Sequence, residues 1–259
     1  LLPNEPNRER PVSIRSGARG WPVFGLQVGL NRFGAKLAAD GDFGRLTEVA
    51  LKNFQTKQGL ISDGIAGPTT QRVMASRIAL DADSAMTTLP DGLALSLIEG
   101  ESGYYLGAVN WSVSGGVDCG LVQRRVYGPP YDVEAMVRAY HPFESAREAL
   151  EDLEWRANGF LTSPWVAGAW GDGVKRKRAV RCALMAHNWP VGARDIARTG
   201  KCAQPDAPCT WIPRNADGTS MVRFPDGIRV ESRYEWCQFY AMGSTHGRAR
   251  MAQYVEDWT

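Results

Sequence analysis

The sequence has no long hydrophobic run. Apolar residues fill 44% of its 259 positions, yet no cluster of them approaches the roughly 20 residues a helix needs to cross a bilayer. Membrane insertion is therefore not expected. Histidine is scarce, with only His141, His187 and His246, far apart in the chain. The five cysteines, Cys119, Cys182, Cys202, Cys209 and Cys237, include no Cys-x-x-Cys pair. A structural zinc site is not expected from such spacing, a catalytic one has few ligands to draw on, and no cofactor is expected. Cys202 and Cys209 lie in a loop-like stretch and could join in a disulfide outside the cytosol, while the odd count suits reduced thiols equally. An excess of charge of one sign is missing too. The net charge is +2, from 30 basic and 28 acidic residues, which gives nucleic acid no electrostatic handle. The first residues show no basic segment followed by an apolar core, so no signal peptide is expected.

What remains is a chain long enough for one large domain or two modest ones with real cores. Residues 1–11 are polar and proline-rich and read as a flexible N-terminal arm. Val23, Leu26, Leu30 and Phe33 then recur at helical spacing until Gly34 stops them. An internal repeat follows. Asp40-Gly41-Asp42-Phe43-Gly44-Arg45-Leu46-Thr47 is echoed by Asp63-Gly64-Ile65-Ala66-Gly67-Pro68-Thr69-Thr70. Asp-Gly makes a tight turn, because Gly accepts positive φ and Asp bonds its own backbone. Each turn leads into a helix, and Pro68 suits the first turn of the second one.

These motifs resemble the type 1 peptidoglycan-binding domain family. Its pattern appears here as Gly17 and Gly20, Leu26-Gln27, Asp40 to Thr47, Phe54-Gln55 and Asp63 to Gly67. The resemblance spans about sixty residues and implies a three-helix module, placed at 12–78, that binds cell-wall peptide or glycan. Most of the motif residues themselves read as scaffold. Residues 79–90 read as a helix tail and linker, and 91–259 as a second domain.

That second domain begins with an apolar run, Leu93 to Ile98, ending in Glu99-Gly100-Glu101-Ser102-Gly103. A carboxyl held at the end of an apolar helix, facing a cleft, can act as a general acid. Residues 131–140 and 142–160 carry apolar residues at helical spacing, and 110–116 reads as a polar loop. From 199 to 233, prolines and Asp-Gly pairs suggest an insertion with a β-hairpin at about 219–230, before one or two closing helices at 234–258.

Glu101-Ser102-Gly103, Gly120-Leu121-Val122-Gln123 and Ala186-His187-Asn188 resemble the lysozyme-like fold of soluble lytic transglycosylases and goose-type lysozymes. The fold class expected for the whole chain is mainly α: a small three-helix wall-binding domain plus a lysozyme-like α(+β) catalytic domain with a loop or hairpin insertion. The resemblance implies Glu101 as catalytic acid and Ser102, Gln123, His187 and Asn188 as substrate-binding residues. The chain departs from the family pattern at Val122 (usually Met), at His187 (usually Tyr) and at Pro190. Glu99 competes with Glu101 but lies about 200° away around an ideal helix, and the family register selects Glu101. Asp118 is the nearest candidate for a second carboxylate, or a turn-former. Trp165 and Trp170 suit stacking on sugars or packing in a core. The basic cluster 175–178 suits a solvated helix face or attraction to an anionic wall.

The activity implied is cleavage of the β-1,4 bond between N-acetylmuramic acid and N-acetylglucosamine by a lytic transglycosylase. A hydrolytic muramidase on the same fold and a non-catalytic wall-binding or virion structural protein are the alternatives. Bacterial peptidoglycan is the expected partner, with no nucleic acid and a monomeric state. The expected setting is a phage endolysin made in the host cytoplasm and acting at the bacterial cell wall, or a virion-associated relative.

Overall fold

The computed structural model describes residues 2–8, 11–86, 89, 92–111, 115–188 and 190–200. Of the expected insertion at 199–233 only residues 199 and 200 are described, and its hairpin, the Cys202–Cys209 pair and the closing helix or helices lie outside the described residues. Among the described residues there are nine helices and one three-stranded antiparallel sheet. The fold is thus mainly α with a small β component, as expected. None of the described helices is long and apolar enough to cross a membrane.

Three helices build the N-terminal module: α1 (Trp21–Arg32), α2 (Arg45–Lys57) and α3 (Pro68–Ser84). α1 ends where Gly34 turns the chain with a φ of 93°, a conformation that favours glycine. α3 carries Pro68 in its first turn, where the missing N–H costs no helical bond. The helix runs well past the expected module end at 78. Ile78, Ala79 and Ala82 are fully buried, so an apolar face carries α3 on to Ser84 through residues expected to form a helix tail and linker.

The chain divides into two compact units, one of residues 1–85 and 97–149, the other of 86–96 and 150 onward. The first unit adds to the three helices the end of α4 (Leu93–Ser102), strands β1 (Val109–Asn110), β2 (Gly116–Cys119) and β3 (Arg124–Tyr127), and helix α5 (Val133–Tyr140). β2 pairs with both neighbours, placing Asp118 opposite Arg125 and Cys119 opposite Arg124. The strands were not anticipated from the sequence. They are two to four residues long, too short for alternation to stand out against the loop signal of 110–116. Their inward residues Val117, Cys119 and Val126 pack with Met136, Ala139 and Tyr140 of α5 and with Trp21 and Phe24 of α1. Trp21 and Tyr140 stack with ring centres 5.5 Å apart. α5 is capped by Asp132, whose side chain accepts from the N–H of Glu134 at 2.8 Å, satisfying a donor the helix cannot.

The N-terminal arm differs from its expected mobility. Asn7 donates to Gly107 O at 3.0 Å, its own carbonyl accepts from Trp111 Nε1 at 3.0 Å, and its side-chain oxygen accepts from the Tyr140 hydroxyl. Trp21 Nε1 donates to Pro3 O at 3.0 Å. These long-range partners pin a segment whose composition alone would leave it loose.

In the second unit, helices α7 (Pro164–Ala167), α8 (Asp172–Asn188) and α9 (Pro190–Thr199) pack together. α6 (Pro142–Phe160) precedes them. Ala179, Val180, Cys182, Ala183 and Leu184 of α8 and Ala193, Ile196 and Ala197 of α9 are buried.

Candidate functional site

The repeated Asp-Gly turns are organised by two glutamines. Gln27 of α1 is buried; its Nε2 donates to Asp40 Oδ1 (2.9 Å), Asp42 O (3.1 Å) and Thr47 Oγ1 (3.1 Å), and its Oε1 accepts from Gly41 N–H at 2.9 Å. Gln55 of α2 repeats the pattern one helix later. Its Nε2 meets Asp63 Oδ1 (2.8 Å), Ile65 O (3.0 Å) and Thr70 Oγ1 (3.3 Å), and its Oε1 meets Gly64 N–H (2.9 Å). In both turns the Asp carboxylate also accepts a backbone N–H two residues on. Those backbone bonds, seconded by the glutamine, hold the Asp40 and Asp63 carboxyls below the usual carboxylate range. The Asp, Gly and Thr residues of the repeat are thus spent on shaping turns. Gln71 of α3 plays a third, divergent version: its Oε1 accepts from Leu106 N–H at 3.1 Å.

A groove of about 190 Å3 opens on this module between α1, the 34–37 loop and α2. The Phe33 and Phe54 rings, 5.0 Å apart, lie at its base, and Leu46 and Val49 stand exposed along it.

The second constellation begins at the end of α4. Leu93 to Ile98 are buried throughout, as the apolar run predicts. Glu99 and Glu101 are both half-buried, so exposure does not choose between them. Ser102 is buried and donates to Ile98 O at 2.9 Å. With its proton turned into its own helix, it holds the last turn of α4.

Beyond Ser102 a ladder of backbone hydrogen bonds leads to Gln123. Tyr105 N–H donates to Ser102 O, Ala108 N–H to Tyr105 O, Gly120 N–H to Ala108 O (3.0 Å) and Gln123 N–H to Gly120 O. Gln123 also closes its turn through Nε2 to Gly120 O at 3.0 Å. Gly120 sits at φ 80°, and a Cβ there would lie 1.9 Å from Ala139 O. Among the described residues, the non-glycine positions with positive φ are Tyr104 (71°) and Gln123 (49°), one near each end of this ladder. Such conformations cost free energy and cluster where a site requires them. Neither could be foreseen from residue type.

Asp118 lies on β2, not in a loop. Its two oxygens accept from Arg125 Nε at 2.6 Å and Nη2 at 3.1 Å, a two-pronged pair set by their opposition across the β2–β3 ladder. His187 and Asn188 end α8, in the other unit; His187 is exposed. Trp170 is 93% exposed. Trp165 carries the Arg178 guanidinium over its ring at 4.5 Å and accepts from it through its carbonyl at 2.6 Å. Arg176 reaches Asn158 Oδ1 at 2.6 Å. Two residues of the basic cluster thus hold the fold. Cys119 and Cys182 are buried and free, and burial pushes both thiols up to about 12, which removes them as nucleophiles at neutral pH. Among the described residues no group of His, Cys, Asp and Glu could hold a metal ion.

Residues 22–74 match the family described as "Putative peptidoglycan binding domain". The zinc D-Ala-D-Ala carboxypeptidase of Streptomyces albus G is 44% identical over 61 residues, 22% of this chain and 24% of that protein. The probable N-acetylmuramoyl-L-alanine amidase of Bacillus licheniformis is 36% identical over 86 residues, 32% of this chain and 24% of that one. The chain therefore spans about a quarter of the length of the curated relatives it matches. Among solved structures, that of Burkholderia AP3 phage endolysin aligns over 96% of this chain and 98% of its own, at 18% identity and a TM-score of 0.24, an overlap below what a shared fold gives.

Proposed function

We propose that this protein binds bacterial peptidoglycan through the module at 12–78 and cleaves its glycan strand with a domain at 91–259, using Glu101 as general acid and then base. The observation that carries this reading is the ladder joining the Glu101 helix end to the Gln123 turn, with a positive-φ residue near each end. It ties together two of the three motifs that resemble lytic transglycosylases, in the same compact unit as the module matching a peptidoglycan-binding family. The two curated relatives bear names for different reactions, so the stretch they share with this chain suits the common task of wall binding.

Protonating the glycosidic oxygen lets the bond to the N-acetylmuramic acid carbon break through an oxocarbenium-like state. Glu101, left as carboxylate, then takes the proton of that sugar's 6-hydroxyl as its oxygen attacks the same carbon, giving a 1,6-anhydro product and restoring the acid. One carboxyl suffices. A hydrolase on this fold would call on a second carboxylate to position water, and the engagement of both Asp118 oxygens by Arg125 supports the scheme without one. Gln123, His187 and Asn188 are assigned to holding the glycan, and Ser102 to positioning Glu101. In the expected setting, a phage lysis enzyme, the site of action is the cell wall.

Mass spectrometry of digested peptidoglycan tests the product: anhydro-muramic ends are expected, and reducing ends alone would overturn the transglycosylase assignment. Glu101→Gln is expected to slow clearing of a wall suspension by about 10² or more while leaving wall binding intact. Undiminished lysis would remove Glu101 from the mechanism.

A further inference from the structure

We infer that the groove between α1 and α2 takes the peptide stem of peptidoglycan, a short chain rich in carboxylates and alanine methyl groups, and not its sugar strand. This rests on the wall-binding reading above and names the part of the wall that is held.

The shape comes first. At about 190 Å3 the groove is smaller than the roughly 300–1,000 Å3 of a drug-sized pocket, so it suits a few small residues. It is preformed. Asn31 holds both backbone groups of Leu37, donating through Nδ2 to its carbonyl at 2.9 Å and accepting its N–H at 2.7 Å, which fixes the loop that forms one wall. A site already ordered loses less entropy on binding.

The surface is apolar at the base and along one edge. Leu46 is 76% and Val49 48% exposed, three residues apart and therefore on one face of α2. A single exposed aliphatic residue is ordinary, but two that open onto the Phe33–Phe54 base make a continuous apolar strip. Methyl groups fit that strip.

Charge selects the rest of the ligand. Lys36 and Lys57 line the groove and no Asp or Glu does; among the described residues neither lysine forms an ion pair. Two uncompensated ammonium groups beside an apolar base call for carboxylates next to small aliphatic groups. A sugar strand would want exposed aromatic faces and several fixed polar groups. Of the two aromatic rings in the groove, Phe54 is only 3% exposed and Phe33 is half-buried, so neither offers an open face, and Asn53 is the single uncharged polar side chain lining the groove.

Calorimetric titration of the full chain carrying Glu101→Gln, which prevents cleavage, with two probes tests the inference. The probes are a synthetic L-Ala–γ-D-Glu–L-Lys–D-Ala tetrapeptide and a peptide-free N-acetylglucosamine–N-acetylmuramic acid tetrasaccharide. The tetrapeptide is expected to bind, to lose on the order of tenfold in affinity with Lys36→Ala and Lys57→Ala combined, and to lose measurable binding with Leu46→Asp. Tetrasaccharide binding is expected to be indifferent to these exposed substitutions. Peptide affinity unchanged in both variants, or tetrasaccharide binding lost instead, overturns the groove assignment. Pelleting the same chain with purified walls separates the two readings: variants that do not matter to peptide while walls still bind sink only the groove, and failure of the parent chain to pellet sinks wall binding with it.

Discussion

In the N-terminal module the recognisable glutamines face inward, beneath turns whose Asp40 and Asp63 are exposed. Gln27 and Gln55 are almost wholly buried and spend their amides on Asp-Gly turns. In the Glu101–Gln123 stretch Glu101 is half-buried in the last turn of α4 and Gln123 half-buried at a positive-φ turn, and backbone bonds rather than side-chain hubs run between the two. Equally legible patterns therefore carry different meanings. The first specifies mainly a scaffold, with Leu46 and Phe54 of the motif also lining the groove. The second leaves Glu101 half-buried at the end of a helix.

The sharpest way to break the comparison is at Gly120, where the second region depends on backbone geometry. Gly120→Val would force a Cβ against Ala139 O and a β-branched residue into positive φ. A loss of about 4 kcal/mol or more is expected, read by denaturant unfolding; a cost below about 1 kcal/mol would show that the turn is not held by Ala139.

In the module the same test falls on the glutamines. Gln27→Leu and Gln55→Leu should each cost about 2–3 kcal/mol, since each strands the buried N–H of Gly41 or Gly64 and several acceptors. Equal costs would mark the two turns as energetic equivalents; a much smaller one at Gln55 would show that the longer Thr70 bond reflects a looser copy.

Asp118→Asn sharpens the contrast in the other direction. Its pair with Arg125 is partly exposed, so about 1 kcal/mol of stability is expected to go, with lysis rates preserved. Lysis that collapses in a stable variant would return Asp118 to the mechanism as the second carboxylate.

The smallest effect is a pH dependence at His141. Burial holds its imidazole below the ordinary 6.5 against the opposing pull of Glu144 and Glu148, and Arg32 adds to the lowering. The unfolded chain therefore takes up the proton first. Stability from this group is complete above 6.5 and drains as pH falls toward the folded value. Protonation would also end the acceptance of Glu144 N–H by Nδ1. A His141→Gln variant should show a flatter melting temperature between pH 7 and pH 5 than the parent; identical slopes would assign the dependence elsewhere.

Much of the fold was legible because its signals are local. Asp-Gly followed by Gly and Thr specifies a turn and a helix start wherever it occurs, and the Leu93–Ile98 run specifies a buried helix. The helix at 142–160 was read with its observed limits. The strands of β1–β3 were missed because pairing across a sheet is a relation between segments, and two to four residues carry no period of their own. The end of α3 was read only as a helix tail running into linker, because small residues such as Ala79 and Ala82 look like linker until something packs on them.

For the candidate site the division is the same. Sequence alone singled out the residues proposed for the chemistry, Glu101 and Gln123 among them, and the repeat that stands before them. Tertiary structure alone decided their circumstances. Opposition across the β2–β3 ladder gives Asp118 to Arg125, the proton of Ser102 goes to its own helix, and Asn7 pins an arm that composition would leave free. Residue type and local spacing specify what a group can do, but which partner it meets depends on segments brought together across tens of residues.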